Sequence, residues 1–168
     1  MHPPRLRAFS YIGKYAYFLT LCTHQRSPRF ASAEVASPAL TQFRESARVF
    51  AFEITAYCFM PDHAHILCVA SSDASDLVSF VVDAKQQSAY RFSKTVGGRL
   101  WQKGFYDHVL RDDQQMLAVV RYIVANPVRD GLANGIGEYP FCGSDAYTMQ
   151  EIAECQEMWS PPPRRGQP

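Results

Sequence analysis

Cysteine is sparse and scattered: Cys22, Cys58, Cys68, Cys142 and Cys155 are odd in number, far apart and free of CxxC spacing. That pattern argues against a disulfide framework or a thiolate zinc site. No apolar run approaches the ~18 residues of a membrane span, and the first residues do not resemble a signal peptide. A soluble, cytoplasmic protein with no membrane partner is the expectation. Internal repeats are absent, and no linker is long enough to divide 168 residues into two folds. Net charge is nearly absent as well, at +1, which excludes a uniformly basic nucleic-acid coat.

What is present changes the weight of that small charge. The chain is 47% hydrophobic with 11 Phe and 9 Tyr, enough to bury a sizeable core. Its charges fall in blocks. Residues 1–33 carry Arg5, Arg7, Lys14, Arg26 and Arg29 and no acid, and residues 84–106 carry Lys85, Arg91, Lys94, Arg99 and Lys103 and no acid. The intervening and C-terminal segments hold all the carboxylates. Two acid-free blocks could form anion-binding surfaces, unless folding mixes them with the acidic ones.

Periodicity gives an order of elements. Residues 15–24 (YAYFLTLCTH) read as a buried strand, and 34–50 as a helix with Leu40, Phe43, Ala47 and Phe50 at helical spacing. Residues 52–59 and 63–70 are two more strands, joined by a link short enough for an antiparallel hairpin. Ser75 or Asp76 caps a helix that reaches about Ser93 and is broken by Gly97-Gly98. A fourth strand fits 104–111. Asp112, with Gln115 in the capping-box position, opens a last helix ending near Asn126-Pro127. The result is βαββαβα, an α+β ferredoxin-like sandwich with an antiparallel sheet backed by helices. One domain is expected over 1–147, with a basic N-terminal arm. Residues 148–168 form a C-terminal extension whose Pro/Arg tail is expected to be disordered.

His63-Ala64-His65 is the sharpest local feature. In a strand, residues i and i+2 share a face, so both imidazoles can reach one metal ion, though two polar residues on a solvated face have the same spacing. Imidazole suits Zn, Mn, Fe or Ni, while Mg prefers oxygen. Tyr122 and Asn126 lie one turn apart on the last helix, and Tyr122 stands off the apolar stripe of Leu117, Val120, Ile123 and Val124. The helix C-terminus at Asn126 favours a cation, and its amide oxygen is a possible ligand.

The segments YCFMPDHAHILC, LWQKGFYDHVLRDDQQMLAVVRYIVANPVRDGL and EYPFCGS together resemble the REP-associated tyrosine transposases, within the single-tyrosine HUH-type DNA-nicking enzymes. The match spans roughly residues 10–147 in order and spacing. It implies a ferredoxin-like fold and a divalent metal, Mg or Mn, on His63 and His65, with Asn126 in the place of a polar third ligand. It also implies that Tyr122 is the nucleophile, forming a 5′-phosphotyrosine link in single-stranded, hairpin-forming, REP-like DNA. Tyr90 is the rival tyrosine. Arg5, Arg7, Lys85, Arg91, Lys94, Arg99 and Lys103 are the expected DNA contacts; Trp101 and Phe105 could stack on bases, though a core role is the more common one. Relatives act as monomers or homodimers. A water-using metal nuclease and a non-catalytic ferredoxin-like nucleic-acid binder are the competing readings.

Overall fold

The computed structural model describes residues 9–110 and 116–161. Five strands and four helices follow in the order β1 (Ala16–Cys22), α1 (Ala33–Val49), β2 (Phe52–Met60), β3 (His63–Ala70), α2 (Leu77–Thr95), β4 (Tyr106–Leu110), α3 (Met116–Arg129), β5 (Cys142–Ser144) and α4 (Met149–Glu154). The strands form one antiparallel sheet in the order β4-β1-β3-β2-β5. The expected α+β sandwich is the fold, extended at its end by β5 and α4. Arg5 and Arg7, the Asp112 cap and the Pro/Arg tail lie outside the described residues.

Side-chain alternation divides the sheet into two unlike faces. Tyr17, Leu19 and Leu21 of β1 and Ile66 and Cys68 of β3 face α1 and α2, where Phe43 and Phe80 complete an aromatic core. Phe52 stacks on Phe80 at 4.9 Å between ring centroids. The other face presents Phe18, Ala56, Cys58 and Leu67 to Val119, Val120, Ile123 and Val124 of α3. Ile152 of α4, in the segment expected as an extension, is buried in this second cluster. Thr148 and Glu151 build a reciprocal capping box that starts α4.

One boundary settles on an expected alternative and another is passed. Asp76, not Ser75, caps α2, accepting from the amides of Val78 and Ser79, a bond worth about 1 kcal/mol. The last long helix does not stop at Asn126 but continues through Pro127 to Arg129. Proline removes the amide that would bond the Ile123 carbonyl. The side chain of Asn126 supplies a donor instead, reaching the carbonyls of Tyr122 (2.9 Å) and Ile123 (3.3 Å).

Among the described residues the buried polar atoms without a hydrogen-bond partner are Tyr17 Oη, Arg29 Nε and Arg121 Nε. The Tyr17 hydroxyl has no hydrogen-bond partner among the described residues, and Tyr17 is fully buried. Tyr17→Phe is therefore expected to stabilise the fold by about 1 kcal/mol. Thermal denaturation showing a lower Tm for this variant would contradict the assignment.

Candidate metal and DNA-cleavage site

The β2–β3 hairpin is closed by Pro61 and Asp62, which puts His63 at the first position of β3. His63 and His65 then point to the same face of the sheet, towards α3. Register with β1 sets Cys22 opposite His63 and Thr20 opposite His65. The two Nε2 atoms converge to 3.1 Å. Two ligands ~2.1 Å from one ion and at right angles to each other lie about 3.0 Å apart, so the pair fits a shared divalent ion.

The opposite ring nitrogens are held from outside. His63 Nδ1 lies 2.6 Å from Asp62 Oδ1, and His65 Nδ1 lies 3.1 Å from Thr20 Oγ1. Asp62 is itself fixed, because Arg26 Nε sits 3.1 Å from its other oxygen. Its backbone carbonyl also accepts from the Thr23 amide and hydroxyl. Oriented imidazoles with a carboxylate or hydroxyl behind them are what a metal-binding pair requires. His65 is buried, with its ring stacked on Phe18 at 5.2 Å. Among the described residues no third His, Cys, Asp or Glu joins them.

Tyr122 faces this pair from α3. Its ring centroid is 6.1 Å from that of His65 and 5.9 Å from Phe18. The Arg129 guanidinium lies over the Tyr122 ring at 4.3 Å and donates to the Asn126 oxygen. Asn126 is buried, and its contacts run to the α3 backbone and to Arg129. Cys142 on β5 lies beneath the same turn, 3.8 Å from the carbonyls of Ile123 and Val124. Trp159, beyond α4, packs on Tyr122 at 5.1 Å and on Phe18 at 5.0 Å. Tyr90 is far from this arrangement in the fold, exposed on α2 behind the opposite face of the sheet.

The basic residues divide by their contacts. Lys85 turns inward, donating to the carbonyls of Gln102 (2.8 Å) and Gly104 (2.5 Å). Burial pushes its ammonium down to about 8. Arg91 approaches Glu45 at 4.0 Å, and Lys94 sits over the ring of Tyr90. Arg99 and Lys103 are exposed. The two acid-free blocks meet: His24 donates its amide to the Leu100 carbonyl, and Arg29 lies over the Phe92 ring. Trp101 is buried and its indole donates to Ser88, so it anchors the core. Phe105 is buried in the same cluster.

Asp62, Thr20, Arg129 and Trp159 escaped the sequence reading. Only Asp62 carried a local signal, as a carboxylate adjoining the histidine pair.

The histidine pair on a central strand faces a tyrosine on the covering helix, and the comparisons define the class of the chain as a tyrosine transposase. The chain matches the family described as "Transposase IS200 like" over residues 11–126, and it belongs to that family. It is 22% identical over 147 residues to a candidate REP-associated tyrosine transposase of Haemophilus influenzae, covering 81% of this chain and 83% of that one. It is 30% identical over 91 residues to the REP-associated tyrosine transposase of Escherichia coli K12, covering 54% of this chain and 53% of that one. It thus spans about half the length of the second relative. The fold is also that of a REP-associated tyrosine transposase solved bound to a REP hairpin. That similarity has a TM-score of 0.70 at 23% identity, covering 83% of this chain and 81% of the other. No helix among the described residues is long and apolar enough to cross a membrane.

Proposed function

We propose that this transposase nicks and rejoins single-stranded, hairpin-forming repeat DNA of the REP type, with Tyr122 as nucleophile and a divalent ion, Mg or Mn, held by His63 and His65. The observation that carries the reading is the convergence of the two Nε2 atoms at 3.1 Å on the face that Tyr122 shares. The relatives named for REP elements, one of them solved on a REP hairpin, supply the substrate class.

When bound, the ion supplies Lewis-acid polarisation of the non-bridging oxygens of the scissile phosphate. The protein supplies the rest. Thr20 and Asp62 fix the imidazole orientations. Tyr122 Oη attacks phosphorus in line, its proton passing to water, and the displaced O3′ takes a proton from water and leaves as a 3′-hydroxyl. The 5′-phosphate stays on the tyrosine, conserving the ester for a later 3′-hydroxyl that attacks it and restores the phenol. Arg129 places a positive charge against the ring that makes this attack. Asn126, whose oxygen accepts from Arg129 in this structure, would be the third ligand of such an ion.

The test is a hairpin oligonucleotide labelled at its 3′ end, the end that stays with the 5′-phosphotyrosine, incubated with Mn and resolved under denaturing conditions. Label shifted to the mass of the protein supports the reading. Cleavage with no adduct overturns it in favour of water as nucleophile, and absence of both cleavage and metal binding favours a non-catalytic binder.

Trp159 adds a second expectation, because its indole packs on the Tyr122 ring at 5.1 Å and would crowd a phosphodiester approaching that residue. Trp159→Ala is expected to raise the single-turnover rate of adduct formation several-fold. An unchanged or lower rate, measured in a variant of wild-type Tm, would show that Trp159 does not obstruct the site.

A further inference from the structure

Cys58 of β2 and Cys142 of β5 are directly opposed in the register of their strands. The Phe59 amide donates to the Phe141 carbonyl at 2.8 Å, and the Asp145 amide to the Thr55 carbonyl at 3.1 Å. Those two bonds fix the pattern of the ladder and make Cys58 and Cys142 a non-hydrogen-bonded pair. Opposed Cα atoms at such a pair lie about 4.5 Å apart, inside the roughly 4.4–6.8 Å that a disulfide spans. Both side chains pack on the α3 face of the sheet, and the two thiols interact. The other cysteines are placed differently. Cys22 and Cys68 are opposed on β1–β3 by His63 and Tyr17, and Cys155 follows α4.

The two thiols differ in access. Cys58 is fully buried, whereas Cys142 is half-buried on the edge strand, so a dissolved oxidant reaches Cys142 first. The pair also adjoins the cleavage site. On its other side Cys58 is opposed to His65. Cys142 Sγ lies 3.8 Å from the carbonyls of Ile123 and Val124, and Pro127 leaves the first of these without a backbone donor. A bond to Cys58 draws the two sulfurs to about 2.05 Å and removes the Cys142 S–H. The turn of α3 that follows Tyr122 then loses this contact beneath it.

We infer that Cys58 and Cys142 form a reversible disulfide on exposure to a low-molecular-weight disulfide, and that this bond slows strand cleavage at Tyr122. The bond itself rests on the strand register; its effect on cleavage rests on the proposed function. Cys142 Sγ attacks one sulfur of the small disulfide and forms a mixed disulfide. One small thiol leaves, taking the Cys142 proton. Cys58 Sγ then attacks Cys142 Sγ, breaking the mixed bond, and the second small thiol leaves with the Cys58 proton. Two protein thiols are oxidised and one small disulfide is reduced to two thiols. A small dithiol reverses the exchange, as befits a switch more than a framework.

The full chain is treated with glutathione disulfide, its remaining thiols are alkylated, and unreduced digests are read by mass spectrometry. A linked peptide pair containing Cys58 and Cys142 is expected, and dithiothreitol returns both to free thiols. Cys142→Ser gives no linked pair. Neither does Cys58→Ala, which keeps the α3 contacts of Cys142. The linked protein melts about 5 °C or more higher, because the bond closes a long loop. After desalting, single-turnover reactions with Mn form the Tyr122 adduct about tenfold more slowly in the linked protein. Dithiothreitol restores the rate, and Cys142→Ser reacts equally fast with and without the oxidant. Absence of the linked pair, or a mixed disulfide that stays on Cys142, overturns the inference and leaves the cleavage reading intact. A linked protein with an unchanged adduct rate overturns the effect on cleavage. A reduced wild type that forms no adduct overturns the cleavage reading, and the linked pair, read without DNA, still decides the disulfide.

Discussion

Tyr122→Phe is expected to bind hairpin DNA as the wild type does and to form no covalent adduct, with strand cleavage reduced at least about 10⁴-fold. The substitution removes one oxygen and almost nothing else. Its ring contacts with Phe18, His65 and Trp159 depend on shape and quadrupole, which phenylalanine retains. The Arg129 guanidinium also keeps an aromatic face to rest on. Because the fold is unperturbed, loss of activity in this variant reports chemistry. Tyr90→Phe is the matched control, and it should leave both the adduct and the rate unchanged. If Tyr122→Phe still yielded an adduct, the nucleophile would lie elsewhere. If it cleaved at the wild-type rate without one, water would be the attacking group in the wild type as well.

The sequence was most legible where a local pattern and the tertiary structure demand the same thing. Residues 63–70 form a short run, apolar from Ile66 onward, bounded by Pro61-Asp62 and Ser71-Ser72, and the strand boundaries match the structure; the HxH spacing puts both imidazoles on one face before any packing is known. Tyr122 drew notice by standing off the apolar stripe of its own helix, and its candidacy as nucleophile came from the family resemblance. Of the groups that orient the histidines, Asp62 adjoins the pair in sequence but Thr20 was not readable. Thr20 is 45 residues from His65 and reaches it only because β1 pairs with β3 in one register. Arg129 was hidden by a correct rule applied one turn too early: proline disfavours helix continuation, but Asn126 supplies a side-chain donor to the carbonyl that Pro127 orphans. Trp159 has no periodic context at all, since it lies beyond α4 in an irregular segment. The near-zero net charge was a true sum with little structural content. Acids such as Asp62, Glu45 and Asp73 pair with individual cations, Arg26, Arg91 and Lys14. A groove between α2 and the segment leading into β4 is lined without any acid.

His65→Ala carries the second large effect, and its force lies in a graded comparison with the residues behind the imidazoles. Removing His65 deletes one of two converging nitrogens, so Mn affinity, read by titration against the electron paramagnetic resonance signal of the free ion, should fall by more than about 100-fold. Cleavage should fall with it at fixed metal concentration. The variant also pays for a buried cavity and for the Thr20 hydroxyl it strands, about 1–3 kcal/mol in all. Stability alone therefore cannot serve as the readout. Asp62→Ala leaves both imidazoles in place but frees the His63 ring, so its loss of affinity should be smaller, about 10- to 100-fold. Because Arg26 would then lose its carboxylate, Asp62→Asn is the cleaner companion: it keeps a hydrogen-bonding group beside Nδ1 while removing the charge. The expected order of affinities is wild type, Asp62→Asn, Asp62→Ala, His65→Ala. A metal affinity that is the same in all four proteins would mean that the 3.1 Å approach of the two rings is a histidine–histidine hydrogen bond and not a ligand pair.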